Sequence, residues 1–254
     1  MAFTTLRTLT RVPSSRSALA VAAEPLYDIY IKGAPVEGLV NEKGELGDCP
    51  FSQRTMMTMQ EKNIPYKMMF IDEYRMQEIP WLDEVTEGAR QIPFVQEKET
   101  GKWYHDSDFI VPYLEDKFPE RKLGKPDECP QVGAELFKPA FFEYLVADGA
   151  EEKPKLDRLL KEFQGLDDWL GEKGTPYFGG EDVCATDLAL SPRVKHIFVG
   201  GKAVKGFELP ASFKNVHAWM ERMQQRKSWG PAMPDESWMV KGWHKKREML
   251  LADK

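Results

Sequence analysis

Apolar and polar positions alternate through Leu26-Tyr27-Asp28-Ile29-Tyr30-Ile31-Lys32, the period of a strand, and Gly33-Ala34-Pro35 ends the run. A loop to Gly47 follows. Residues 51–62 then carry good helix formers, among them Gln53, Arg54, Met56, Met57 and Met59, and stop before Asn63-Ile64-Pro65. The pattern next predicts a strand over 66–71, an irregular helical stretch over 75–87 and a strand over 92–96. A turn at Gly101 leads to a strand at 103–105 paired back as a hairpin, and a helix covers 107–117.

The order β-α-β-α-β-β-α is that of a thioredoxin-like α/β domain, placed at residues 25–117. Residues 118–130 are rich in proline, charge and glycine and read as a linker. Beyond it only helical spacing is found. Phe137, Phe141 and Leu145 make one apolar stripe, and Leu156, Leu159, Leu160, Phe163, Leu166, Trp169 and Leu170 a clearer one. Gly171 to Gly180 interrupts, 188–199 resumes, and Val216, Trp219, Met220 and Met223 form another stripe. Residues 131–254 are therefore an all-α domain whose aromatic and Met stripes are core.

Composition narrows the function. The chain is 42% hydrophobic and 30% charged, a globular make-up, and its net charge of -6 offers no global basic field for nucleic acid. The short basic run 241–247 reads as the solvated start of a C-terminal helix. No apolar run approaches the roughly 20 residues of a membrane-spanning helix. Three cysteines, far apart and odd in number, make neither a disulfide framework nor a zinc pattern, and imply a reducing compartment. Residues 1–24 differ in kind: Arg7, Arg11 and Arg16, many Ser and Thr, and no acid before Glu24. That is the make-up of an organellar transit peptide, chloroplast or mitochondrion, or of a leader without an address on a cytosolic protein.

The candidate chemistry lies in Gly47-Asp48-Cys49-Pro50-Phe51-Ser52-Gln53-Arg54. Proline is tolerated at the first helical position, so Cys49 sits at a helix N-terminus, where free N–H groups and the helix dipole favour a thiolate. Its pKa is expected below the free value. Cys-x-x-Ser is the dithiol motif with the resolving cysteine replaced by a hydroxyl. An oxidised Cys49 then needs an outside thiol to reset it, which suggests glutathione. Cys184 is expected to be structural, with Asp187 carrying the turn because cysteine is a poor cap. Cys129 lies in the linker, open to exposure.

The two-part architecture with Cys49-Pro50-Phe51-Ser52 on the first helix resembles the glutathione transferase superfamily. The longer motif is similar to plant-type dehydroascorbate reductases and chloride intracellular channel proteins, and Asp106-Ser107-Asp108, Gly242-Trp243 and the leader favour the reductases. The resemblance implies Cys49 as nucleophile, with Lys32 and Asp48 touching glutathione and ascorbate and Phe51 and Ser52 beside them. Lys32 otherwise reads as an ordinary strand-end charge. Asp48, as a carboxylate beside the sulfur, would bind or handle protons rather than activate.

The same resemblance implies a cis-proline turn at Ile92-Pro93 that offers backbone groups to glutathione. It places Asp106 and Ser107 at the γ-glutamyl end, although Ser107 also reads as part of a helix cap. It puts His217 and Trp243 on the substrate side. The family's lysine after strand two is missing where Arg75 stands, and the loop 33–47 is long enough to alter access to Cys49. The implied protein is a monomer using glutathione as co-substrate, with no bound cofactor or metal. It reduces dehydroascorbate to ascorbate by a ping-pong route. An omega-like thiol transferase and a membrane-inserting channel relative are the alternatives.

Overall fold

The computed structural model describes residues 24–34 and 37–252. Apart from Glu24, the leader lies outside them. Strand β1 (Tyr27–Lys32) occupies the centre of a five-stranded sheet ordered β2-β3-β1-β4-β5, where β2 is Val40–Asn41, β3 Tyr66–Ile71, β4 Phe94–Glu97 and β5 Trp103–His105. Only β1 and β3 run parallel, joined through helix α1 (Pro50–Glu61); the other pairs are antiparallel. The alternation along β1 does not mean one wet face. Tyr27, Ile29 and Ile31 enter the main core, while Tyr30 stacks on Phe94 at 4.8 Å beside Trp81 and Trp103 in a smaller one.

The 75–87 segment is a 3₁₀ turn at Glu73–Glu78 and a single turn α2 (Leu82–Val85), and α3 (Ser107–Lys117) closes this half. The second half contains a kinked π-type turn at Leu136–Phe141, α4 (Phe142–Leu145), α5 (Glu152–Lys173), α6 (Ala185–Lys205), α7 (Lys214–Gln224) and α8 (Glu236–Ala252). The basic run 241–247 is the middle of α8, not its start. No helix among the described residues is long and apolar enough to cross a membrane.

Helix α1 is where the halves meet, and its polar residues are buried rather than solvated. Met56, Met57 and Met59 join a continuous core shared with α6. Thr55 and Thr58 donate to backbone carbonyls one turn back, which satisfies them inside the helix. Glu61, 5% exposed, receives both Arg226 nitrogens at 2.7 and 2.8 Å, the Ser228 hydroxyl at 2.6 Å and Arg121 at 2.7 Å. Burial pushes the Glu61 carboxyl up, but these hydrogen bonds and charges outweigh it and hold the pKa below the ordinary glutamate value.

A carboxyl depressed in the fold contributes stability that is present above its unfolded pKa and lost as pH falls through the folded one. Glu61→Gln is expected to cost about 3 kcal/mol at neutral pH, because the Arg226 guanidinium loses its charged partner. It should also flatten the acid limb of a stability-against-pH curve measured by urea unfolding. An unchanged acid limb would show that Glu61 does not hold the halves together.

Candidate functional site

Lys32 ends β1, and the chain returns beside it through Gly47, whose N–H donates to the Lys32 carbonyl at 2.9 Å. A β-carbon at 47 would meet that carbonyl at 2.9 Å, so glycine lets the next two residues approach the strand end. Cys49 is the N-cap of α1 in extended geometry, with Pro50 in the first turn. Its Sγ accepts the Ser52 N–H at 3.5 Å. Lys32 bridges Asp48, at 2.9 Å, and Glu73. Burial would lower the Lys32 pKa, but the two carboxylates raise it above normal, so the ammonium stays charged. Burial raises the Asp48 pKa despite Lys32.

The expectation of a depressed Cys49 pKa is corrected. Cys49 is 7% exposed, and burial pushes the thiol up; the Ser52 hydrogen bonds and the Lys32 charge pull down without cancelling it. The helix terminus was legible in the sequence, but the desolvation imposed by the second half was not. Alkylation of Cys49 by iodoacetamide, followed on its peptide by mass spectrometry, is expected to titrate above the roughly 8.5 of a free thiol. Lys32→Met should move that midpoint higher still. A midpoint below 8 in the parent chain, on the order of the activated thiols, would contradict the desolvation argument.

The sulfur faces a cleft of about 330 Å³ between the halves. Phe51, Phe137, Phe142 and Trp243 make its apolar wall, and Lys138 and Lys246 add positive charge to the lining. Helix α8 approaches closely enough that a β-carbon at Gly242 would overlap the Asp48 carboxylate. Trp243 is held from behind: its Nε1–H donates to His196 Nδ1 at 3.0 Å, which leaves the opposite His196 nitrogen to donate to Gln53 Oε1 at 3.2 Å. Burial drives the His196 pKa to about 3, consistent with a neutral ring.

The Ile92-Pro93 peptide is cis, and the Pro93 carbonyl accepts the Asp106 N–H at 3.2 Å. Asp106 caps α3 at φ 66° with its side chain on the Asp108 N–H. Ser107 is buried and accepts from Arg54 at 3.3 Å; Arg54 also pairs with Asp108. The loop 33–47 is tied across to α8 by Trp238 Nε1 donating to Glu45 at 2.7 Å.

Lys32, Asp48, Cys49, Phe51 and Trp243 thus line one cleft, with Ser52 behind the sulfur; Ile92, Pro93, Asp106 and Ser107 are not part of its lining, and the Asp106 N–H joins that group through the Pro93 carbonyl. His217 does not line it. It lies on α7, with Nε2 on the Pro210 carbonyl at 3.2 Å and its ring against Phe198. The histidine behind Trp243 is His196, a single imidazole in the apolar run 188–199 that the sequence reading passed over as core. Arg75 pairs with Glu78 on an exposed turn and reaches no part of the cleft. Glu73, Lys138 and Arg54 were also missed; only Arg54, inside the Cys49 motif, carried a local signal.

A thioredoxin-type sheet with a helix-capping cysteine, covered by an all-helical half, defines a thiol-centred protein of the transferase architecture. Residues 48–117 match the model of the glutathione S-transferase N-terminal domain. The probable glutathione S-transferase DHAR1, cytosolic, of Oryza sativa subsp. japonica is 33% identical over 82% of this chain and 94% of its own length. The glutathione S-transferase DHAR3, chloroplastic, of Arabidopsis thaliana is 32% identical over 90% and 83%. The crystal structure of Chlamydomonas reinhardtii dehydroascorbate reductase superposes with a TM-score of 0.76 at 32% identity, covering 87% of this chain and 98% of that one. The chain belongs to the glutathione S-transferase family, in its DHAR branch.

Proposed function

We propose that this chain reduces dehydroascorbate to ascorbate with electrons from two glutathione molecules, passed through Cys49. The observation that carries the reading is the Cys49 sulfur at the N-terminus of α1, with Lys32 and Asp48 beside it and no second cysteine at position 52. The relatives named DHAR and the solved dehydroascorbate reductase support the substrate.

In the first half-reaction the Cys49 thiol gives two electrons to dehydroascorbate. Ascorbate leaves with two protons, and a water oxygen stays on sulfur as the sulfenic acid. One glutathione thiol then condenses with it, releasing water and forming a mixed disulfide. A second glutathione attacks that disulfide and departs as glutathione disulfide, restoring the thiol. The Lys32 ammonium stabilises the enolate charge that develops on ascorbate and the thiolate that attacks. The Ile92-Pro93 backbone, Asp106 and Ser107 receive glutathione, and Phe51 and Trp243 border the second substrate. The composition of residues 1–24 supports an organellar address, and the relative named chloroplastic favours the chloroplast over the mitochondrion.

The test is glutathione-dependent ascorbate formation against the uncatalysed rate, with both substrates varied. Parallel double-reciprocal lines are expected, because the enzyme is chemically altered between substrates. Intersecting lines would overturn the ping-pong order. Turnover of glutathione mixed disulfides without turnover of dehydroascorbate would replace the substrate assignment with a thiol transferase.

A further inference from the structure

Cys129 and Cys184 are distant in sequence and adjacent in space. The linker carbonyl of Leu123 accepts the Ala185 N–H at 3.0 Å and the Cys129 thiol at 3.5 Å, which seats the Cys129 sulfur against the first turn of α6. Cys184 is the N-cap of that helix, so its side chain starts from the same turn against which the Cys129 sulfur is seated. Cys129 is buried, contrary to the exposure open to a linker residue, and so is Cys184. Gly124, at φ 75°, makes room for the pair: a β-carbon there would stand 2.9 Å from Cys129 Sγ.

The two sulfurs are unequal. The Cys184 thiol and the N–H groups of Ala185 and Thr186 outweigh burial and the Asp187 charge, and lower the Cys129 pKa to about 7. The hydrogen bond to Cys129, burial and the Asp187 carboxylate raise the Cys184 pKa. Together with their placement at one helix start, this difference in direction suits the relation of an attacking cysteine to a resolving partner. Neither lines the cleft at Cys49.

We propose that Cys129 and Cys184 form a second redox site, a dithiol converted to an intramolecular disulfide by a small hydroperoxide. The Cys129 thiolate attacks one peroxide oxygen; the O–O bond breaks, hydroxide leaves and takes up a proton as water, and Cys129 becomes a sulfenic acid. Cys184 sulfur then attacks the Cys129 sulfur, the S–O bond breaks, and the hydroxyl departs with the Cys184 proton as a second water. Two thiols have lost two electrons and the peroxide has gained them. Cys129 is only 9% exposed, which favours a small peroxide over a bulky disulfide such as oxidised glutathione as the first oxidant. The product staples the linker to the start of α6.

The test uses the full chain carrying Cys49→Ser, so that Cys129 and Cys184 are its only thiols. The reduced protein is exposed to hydrogen peroxide at neutral pH, quenched in acid, then denatured and alkylated. The expected product is lighter by two hydrogens, takes up no alkylating agent, and yields a peptide joining Cys129 to Cys184 that dithiothreitol separates. With Cys184→Ser added, Cys129 should instead gain oxygen. Two alkylated thiols, oxygen on Cys129 beside a free Cys184 thiol, or disulfide-linked dimers in the two-thiol chain would each overturn the proposal.

Discussion

Cys49→Ser is expected to lower kcat/KM for dehydroascorbate by about 10³-fold or more, to the level of the uncatalysed reaction. The substitution is nearly isosteric, and a serine hydroxyl at an N-cap accepts the Ser52 N–H at least as well as sulfur does, so the helix start is preserved. What is lost is the thiol proposed to carry two electrons from one substrate to the other. The assay should be paired with a thermal melt. A folded variant that retains more than a tenth of the parent rate, a loss of less than about 1.4 kcal/mol in transition-state stabilisation, would remove Cys49 from the centre of the mechanism.

Asp187→Ala should have the largest effect on stability, at least about 4 kcal/mol by denaturant unfolding. This carboxylate is fully buried at the start of α6. It receives the N–H groups of Phe178 at 3.0 Å, Gly179 at 3.1 Å and Cys184 at 2.9 Å, and the Trp219 indole at 2.8 Å. Alanine leaves three buried donors, those of Phe178, Cys184 and Trp219, without an acceptor, and each such donor costs about 1–3 kcal/mol. Asp187→Asn keeps one accepting oxygen and should fall between parent and alanine. If alanine cost less than about 1 kcal/mol, the turn from 178 to 184 would be held by packing instead. The carboxylate does the work expected of the turn, and the cysteine contributes a sulfur acceptor for the Asp187 N–H.

Elements whose patterning is local were legible. Strands 66–71 and 103–105 and helix 107–117 occupy the residues their spacing indicates, and α1 begins at the proline. Strand β2 was not readable because two residues carry no period. It exists only because Val40 and Asn41 pair with Ile71 and Phe70 across the sheet. The same boundary runs through the site. Cys49 and its helix start are adjacent in sequence and could be read together. The ion pair from Lys32 to Glu73, the hydrogen bond from Trp243 to His196 and the meeting of Cys129 with Cys184 join residues whose partners no local pattern names. His217 came from the family resemblance alone, and His196 carried no local signal, because a helical histidine's role is decided by what packs against it. The Cys49 pKa was misjudged likewise, since a helix dipole is local and burial is not.

The tie from Glu45 to Trp238 and the seat of Gly242 on Asp48 have a consequence in time. A chain made from its N-terminus completes the sheet and the reactive sulfur long before α8 leaves the ribosome. Until that last helix arrives, the thiol has lost its indole neighbour and part of its shelter from water. Tail-shortened chains are therefore expected to leave Cys49 more open to water and oxidants than the full chain does.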